Sequence, residues 1–286
     1  MTKKTLITSS RRLDEQSLPY KLYKKANRFG TWNPEDINYS HDKAHWPHLP
    51  DEQKQAILRV IAKFQGGEEA VTRDLLPLIM VISNEGRIEE EMFLTTFLHE
   101  EAKHTEFFQL VLSTIDETEP LSKHYDPAYE QLFNETLPNA MDRLLTDQSP
   151  EAIADAATIY NMFVEGVLAE SGYHTFYEQL QHTGMMPGLL EGVGYLKRDE
   201  SRHIAYGTYL LHRIIKEHPH IYDQVIERLD ELKPVAVNFS KDENGTINED
   251  SLTYMMKQLD TRLNILKRAK RQSNDDADRD IESTVL

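Results

Sequence analysis

An all-α fold, a four-helix bundle core with additional flanking helices, is predicted for this 286-residue sequence from three observations. Glycine and proline number only 12 each and cluster in a few places, leaving long stretches free of breakers. No run of six or more residues alternates strictly between apolar and polar, so no strand is read. Several segments instead repeat apolar residues at steps of three and four, the spacing of one helix face.

Taken in order, residues 1 to about 50 hold Trp32, Trp46 and several Pro and Asn, which suggests an irregular arm or short helix laid on the bundle. The first bundle helix follows, because Ile57, Ile61, Phe64, Glu68, Val71, Leu75, Leu78 and Ile82 step by 4, 3, 4, 3, 4, 3 and 4. Residues 88–115 place Leu94, Phe97, Glu101, His104, Phe108 and Val111 on one stripe. In the third candidate, about residues 150–182, the only charges from Ala152 to Ala169 are Asp155 and Glu165. A helix apolar nearly all round belongs in the middle of a bundle. Ser149 as cap and Pro150 at the first helical position mark its start. Residues 189–214 repeat the stripe with Leu189, Val193, Leu196, Glu200, His203, Gly207, Leu210 and Ile214. Residues 221–238 and 249–270 read as flanking helices separated by a polar Asp242-Glu243-Asn244-Gly245 turn. The charged stretch from Lys267, and residues 270–286 above all, reads as a frayed, flexible tail. No shift in composition marks a boundary, so residues 1–286 are expected to form one domain.

Composition excludes several functions. Against 32 Lys+Arg stand 48 Asp+Glu, a formal charge of −16, which repels nucleic acid and anionic membrane surfaces. Without cysteine there are no disulfides, thiolate nucleophiles, iron–sulfur clusters or thiolate zinc sites. The longest apolar run, residues 75–82, contains Pro77 and is too short to span a bilayer, so no integral membrane segment is expected. The N-terminal MTKKTLITSSRR has a basic start but no apolar region of a secretory signal. A cytoplasmic protein is expected.

Six polar residues interrupt the apolar stripes: Glu68 on the first helix, Glu101 and His104 on the second, Glu165 on the third, Glu200 and His203 on the fourth. An isolated buried carboxylate is costly or is neutralised by a shift of its pKa. Two divalent cations would cancel four carboxylates. Residues at i and i+3 share a helix face, so Glu101/His104 and Glu200/His203 can each grip a metal. Glu68 and Glu101 are 33 residues apart and Glu165 and Glu200 are 35, each enough for half a helix up, a turn and half a helix down. All four helices therefore present ligands at one depth. This is the ligand set of ferritin-like di-iron and di-manganese carboxylate proteins. A third Glu-x-x-His, Glu217–His220, contains Pro219, which breaks the helix that would align it. Glu69 and Glu100 lie about 100° around their helices from the stripe and are read as surface charges. The run Glu89-Glu90-Glu91 reads as an acidic first turn complementing the helix dipole. Imidazole and carboxylate ligands suit iron or manganese. Asp199, directly before Glu200, is a candidate acceptor for the outer N–H of a ligand histidine.

The segments GGEEAVTRDLLPL (66–78), FLHEEAKHTEFF (97–108), YNMFVEGVLAESGY (160–173) and YLKRDESRHIAYG (195–207) resemble the small subunit of class I ribonucleotide reductase. They are closer still to its relatives, the ribonucleotide reductase small-subunit-like ligand-binding oxidases, over roughly residues 20–240. Reductase subunits usually carry a radical Tyr one turn after the first ligand His, where this sequence has Phe108, and a relay Tyr in the tail, whereas here no Tyr follows Tyr254. The resemblance implies a homodimeric O2-activating oxidase with a heterodinuclear Mn/Fe centre, di-iron being the alternative. It implies Glu68, Glu101, His104, Glu165, Glu200 and His203 as ligands and an ether cross-link between Val71 and Tyr160. Val71 is one turn from Glu68, but Tyr160, five residues before Glu165, is about 140° away on a regular helix and needs a local π-type bulge or a neighbour's angle to approach. The resemblance further implies a long-chain fatty acid, or similar apolar carboxylate, in a channel that Met162, Phe163, Val164 and Leu168 could line. A reductase small subunit, ferritin-like iron storage and static metal or fatty-acid binding are the alternative functions.

Overall fold

The computed structural model describes residues 6–241, 245–269 and 274–285. Residues 242–244 of the expected polar turn, and 270–273 and 286 of the expected tail, lie outside the described residues. Every described element is helical apart from one isolated bridge between Lys241 and Ile247.

Helix α1 (Leu18–Phe29) buries Leu18, Leu22 and Ala26, a spacing of four that puts one face on the bundle. Helix α2 (Asp51–Glu85) begins with acidic Asp51 and Glu52 and runs through Pro77. It stops at Gly86, whose φ of +72° is the left-handed conformation that glycine adopts without steric cost. There the N–H groups of Gly86 and Arg87 close onto Ser83 O and Ile82 O at 3.2 and 3.4 Å. Helix α3 (Ile88–Thr114) starts two residues later, so α2 and α3 form an antiparallel hairpin.

Residues 127–143 form helix α4, started by the Asp126 side chain accepting from Tyr129 N–H at 2.9 Å. A π turn at Leu132–Thr136 lies just ahead of Pro138, where the missing N–H already interrupts the α ladder. Helix α5 (Pro150–Leu180) starts as the sequence predicts, with Ser149 Oγ accepting from Ala152 N–H. It is long and apolar enough to cross a membrane, yet most of it is buried inside the protein. From Thr158 to Ala169 it widens to π geometry. Helix α6 (Pro187–Glu217) is capped from a distance. Asp42, in the six-residue helix Ser40–His45, accepts from Gly188 N–H and Leu189 N–H at 2.8 and 2.7 Å. Helices α7 (Ile221–Phe239) and α8 (Glu249–Ala269) flank α5.

The C-terminal expectation needs correction. Residues Asn274–Glu282 form helix α9, packed on α6, with Ala277 and Ile281 buried and Lys21 reaching Glu282 at 3.2 Å. Two apolar side chains four apart are enough to seat a charged helix along one edge.

Helices α2, α3, α5 and α6 make the four-helix core of a ferritin-like fold. Its apolar residues form two clusters. One holds Ile57, Ile61 and Phe64 of α2, Phe107 and Phe108 of α3, Tyr173 of α5 and Leu196 of α6. The other holds Val71 and Leu75 of α2, Phe93 and Phe97 of α3, Tyr160 of α5 and Tyr206 of α6. The six interrupting polar residues fall between these clusters on all four helices, at one level of the bundle.

Candidate metal centre

The structure brings all six side chains together. Each is at most 5% exposed. Glu68, Glu101, His104 and Glu200 offer ligand atoms within 4.8 Å of one another, as do Glu101, Glu165, Glu200 and His203. Glu101 and Glu200 belong to both groups and stand between them. The imidazoles point inward through Nδ1. His104 Nδ1 lies 3.4 Å from Glu68 Oε2, 3.7 Å from Glu101 Oε2 and 3.4 Å from Glu200 Oε1. His203 Nδ1 lies 3.1 Å from Glu101 Oε1 and 3.3 Å from Glu200 Oε2.

These contacts lack hydrogen-bond geometry. Both oxygens of Glu101, Glu165 Oε1, Glu200 Oε2 and the Nδ1 atoms of His104 and His203 are buried without a partner. Natively folded proteins satisfy nearly all such atoms, and convergent orphaned acceptors are what a cation requires. The donor set, carboxylate oxygen and imidazole nitrogen without sulfur, fits manganese and iron.

The electrostatics agree. Burial pushes the Glu68 and Glu165 carboxyls well above the ordinary range. Burial acts the same way on Glu101, but His104 and His203 outweigh it and hold that carboxyl low. Both imidazoles are lifted well above their usual value, because the surrounding carboxylates overcome the burial that disfavours their cations. The raised values favour the protonated forms of Glu68, Glu165, His104 and His203, the forms a cation would displace.

Around the six lies an outer set of partners. Asp199, fully buried, faces His104 Nε2 at 3.4 Å and accepts from Trp32 Nε1 at 2.7 Å. Glu100 overturns the sequence reading. It is 1% exposed, not a surface charge, and lies 2.9 Å from His203 Nε2. Its face of α3 meets α6 rather than solvent, and buried Arg202 clasps both Glu100, at 2.6 Å, and Asp199. The signal was in the repeat itself: both motifs read acid-Glu-x-x-His, and each leading acid serves the histidine of the other helix. Glu69 is exposed as expected. Glu90 is not simply a dipole-facing charge, since it is buried and accepts from Tyr206 OH at 3.0 Å. Glu217 and His220 separate, His220 contacting Glu151 at 2.9 Å beyond the end of α6.

A cavity of about 250 Å3 opens onto the site, with Glu68, Glu101, Glu165 and Glu200 on its wall and Val71 beside them. Of Met162, Phe163, Val164 and Leu168, the structure puts Val164 and Leu168 on the wall of this cavity, whereas Met162 and Phe163 are not on it and pack into the core. Tyr160 is fully buried, its hydroxyl without a partner. Burial, then Glu101, Glu165, Glu200 and Glu68, raise the pKa of that hydroxyl, which places the phenol in the field of the cluster. It stands on the π stretch of α5, the widening that five-residue spacing from Glu165 requires.

Comparison with known proteins accords with this geometry. Residues 17–263 match the family model described as ribonucleotide reductase, small chain. A tyrosine-to-phenylalanine variant of an R2-like ligand-binding oxidase, with an anaerobically reconstituted Mn/Fe cofactor, is 42% identical with TM-score 0.87, covering 92% of this chain and 98% of that one. A glycine-to-leucine variant, with a non-activated Mn/Mn cofactor after aerobic reconstitution with Mn and Fe, is 41% identical with TM-score 0.88 and the same coverage. A third R2-like ligand-binding oxidase, another tyrosine-to-phenylalanine variant with an aerobically reconstituted Mn/Fe cofactor, is 38% identical with TM-score 0.82, covering 100% of this chain and 96% of that one.

Proposed function

The chain belongs to the ribonucleotide reductase small-chain family and, within it, to the R2-like ligand-binding oxidases, and on that premise we propose that it is an O2-activating Mn/Fe oxidase acting on C–H bonds. The observation that carries this reading is the convergence of six buried side chains, five of them with unpartnered inward atoms, beside a cavity walled largely by apolar residues.

Glu68, Glu101, His104 and Glu200 would hold one metal, and Glu101, Glu165, Glu200 and His203 the other. When bound, the pair supplies O2 binding and one-electron redox chemistry. The chain's own residues do the rest. Asp199 and Glu100 keep the outer N–H of each imidazole engaged, which fixes the tautomer and leaves Nδ1 free to ligate. Val164, Leu168 and Phe133 exclude water from the approach and offer an apolar wall to the chain of a long fatty acid or similar carboxylate. Phe108, packed against Phe64 and Phe107, cannot hold a phenoxyl radical, which favours an oxidase over a reductase subunit.

Val71 and Tyr160 are the first substrates in this reading. Joining them as an ether removes one hydrogen from a Val71 C–H and one from the Tyr160 hydroxyl, with O2 accepting both electrons and protons. The support is that Val71 lines the cavity beside the carboxylates and that the Tyr160 hydroxyl is buried, neutral and unpartnered near them. The test is reconstitution with Mn and Fe in air and under argon, followed by intact mass and peptide mapping. The aerobic sample is expected to lose two hydrogen masses in a linked Val71–Tyr160 peptide pair. Normal metal loading with both residues unmodified would defeat the cross-link, and no O2 uptake by the reduced, loaded protein would defeat the oxidase.

A further inference from the structure

Tyr206 is a fully buried phenol with no part in the ligand set or the cross-link. It stands one turn beyond His203 on α6, which brings the two Cβ atoms to about 5–6 Å. Aromatic rings fill the space around this step. Phe97 stacks on His203 with centroids 3.6 Å apart and planes 12° from parallel. Phe93 follows at 6.0 Å from Phe97, Tyr206 at 5.2 Å from Phe93, and half-buried Tyr209 at 6.3 Å from Tyr206. The rings form an unbroken track from a proposed ligand histidine towards the surface, and its two outer members are oxidisable phenols.

The Tyr206 hydroxyl also has somewhere to send its proton. It donates to Glu90 Oε2 at 3.0 Å, while Glu90 Oε1 faces Arg213 Nε at 3.5 Å and Arg87 Nε at 3.8 Å. Burial keeps the phenol protonated until it is oxidised. Burial also makes Glu90 a stronger base than an exposed carboxylate, against the pull of Arg213 and Arg87. A phenol that loses an electron becomes a strong acid, so a buried tyrosine is readily oxidised only where a base waits within hydrogen-bond distance.

Resting on the oxidase reading above, we propose that Tyr206 and Glu90 form a redox relay that drains oxidising equivalents from the metal centre towards Tyr209 when no C–H bond is presented. One electron passes from Tyr206 to the oxidised centre, and the hydroxyl proton passes to Glu90, leaving a neutral phenoxyl radical. Tyr209 then returns an electron to Tyr206, which recovers its proton from Glu90, and Tyr209 releases its own proton to solvent. A thiol or ascorbate-class reductant in solution restores Tyr209.

The test is freeze-quench EPR on ring-deuterated-tyrosine protein, loaded anaerobically with Mn(II) and Fe(II) and mixed with O2 without added ligand, with O2 uptake followed in parallel. The wild type is expected to develop a phenoxyl signal that Tyr206→Phe, which removes one hydroxyl, loses. Glu90→Gln, whose amide accepts no proton, is expected to diminish it, and Tyr209→Phe to prolong it by removing the next donor. Peptide mapping of Tyr206→Phe is expected to show new oxygen adducts on side chains around the centre. No O2 uptake overturns the oxidase reading and the relay with it. O2 uptake without a phenoxyl signal, or with one unchanged in Tyr206→Phe, overturns the relay and leaves the oxidase reading standing.

Discussion

Glu100 and His203 meet across two helices, Oε2 to Nε2 at 2.9 Å, while Glu101, the next residue along α3, faces the other nitrogen of the same ring at 3.1 Å. Adjacent glutamates thus address both sides of one imidazole. With Nδ1 turned to the cluster, Nε2 carries the proton and donates to Glu100. Glu100→Gln is expected to lower metal affinity about 10–100-fold without unfolding the protein, the usual cost of losing such a partner. Anaerobic metal titration checks this, and unchanged affinity would remove Glu100 from the site's support.

The ligand set predicts loss of metal in Glu101→Ala and in His203→Ala, measured by elemental analysis after reconstitution. Full retention in both would sink the assignment.

Glu165→Leu should do two opposite things. It removes a buried carboxyl whose Oε1 has no partner, so the metal-free protein should gain about 1–3 kcal/mol. The same change removes a ligand, so added Mn(II) or Fe(II) should no longer raise Tm as it does for the wild type. Thermal denaturation with and without metal reads both effects.

Metal affinity should climb with pH. His104, His203, Glu68 and Glu165 all have pKa values raised in the metal-free protein, so they hold protons that a cation must displace. Raised values favour the protonated form as pH falls, which fixes the sign. Anaerobic Mn(II) binding should be tighter at pH 8 than at pH 6 by about tenfold or more, with proton release on binding. A flat profile would contradict the protonation pattern.

Away from the site, Arg11 grips both oxygens of Glu89 at 2.6 and 2.8 Å and, against burial, holds that carboxyl down at about 2, below its ordinary 4.5. A depressed carboxyl contributes stability that is present above pH 4.5 and is lost as pH falls towards 2. Arg11 is 45% exposed, so solvent screens the pair and its contribution is small. Arg11→Ala should be slightly less stable than wild type at pH 7, with the gap closing as pH falls towards 2 in denaturant titrations.

The core of the site was legible because burying charge is costly, and a glutamate on an apolar stripe stands out for that reason. Glu68 could be read from periodicity, and Glu165 because it is one of only two charges between Ala152 and Ala169. Glu100 could not, because angular position on one helix does not say whether that face meets water or Arg202 of the next helix. Helix α4 was missed because Pro127 and Pro138 punctuate its apolar pattern, and α9 because two buried residues among charges fall below any periodic signal. The short helix carrying Asp42 is a tertiary capping device, and nothing in its local sequence points to α6, 146 residues away.

The widened stretch Thr158–Ala169 sets how this chain tolerates changes in length. Deleting one residue from a regular helix such as α3 turns every later side chain by about 100° and scatters Glu101 and His104. Within the widened stretch, the same deletion can be absorbed by tightening to ordinary helical pitch, so the bundle can close as before. If the residue lost lies outside 160–165, Tyr160 and Glu165 stay five apart on a regular helix and end about 140° out of phase. Single-residue shortening here is therefore a route by which a relative could keep the fold while losing the tyrosine's access to the site.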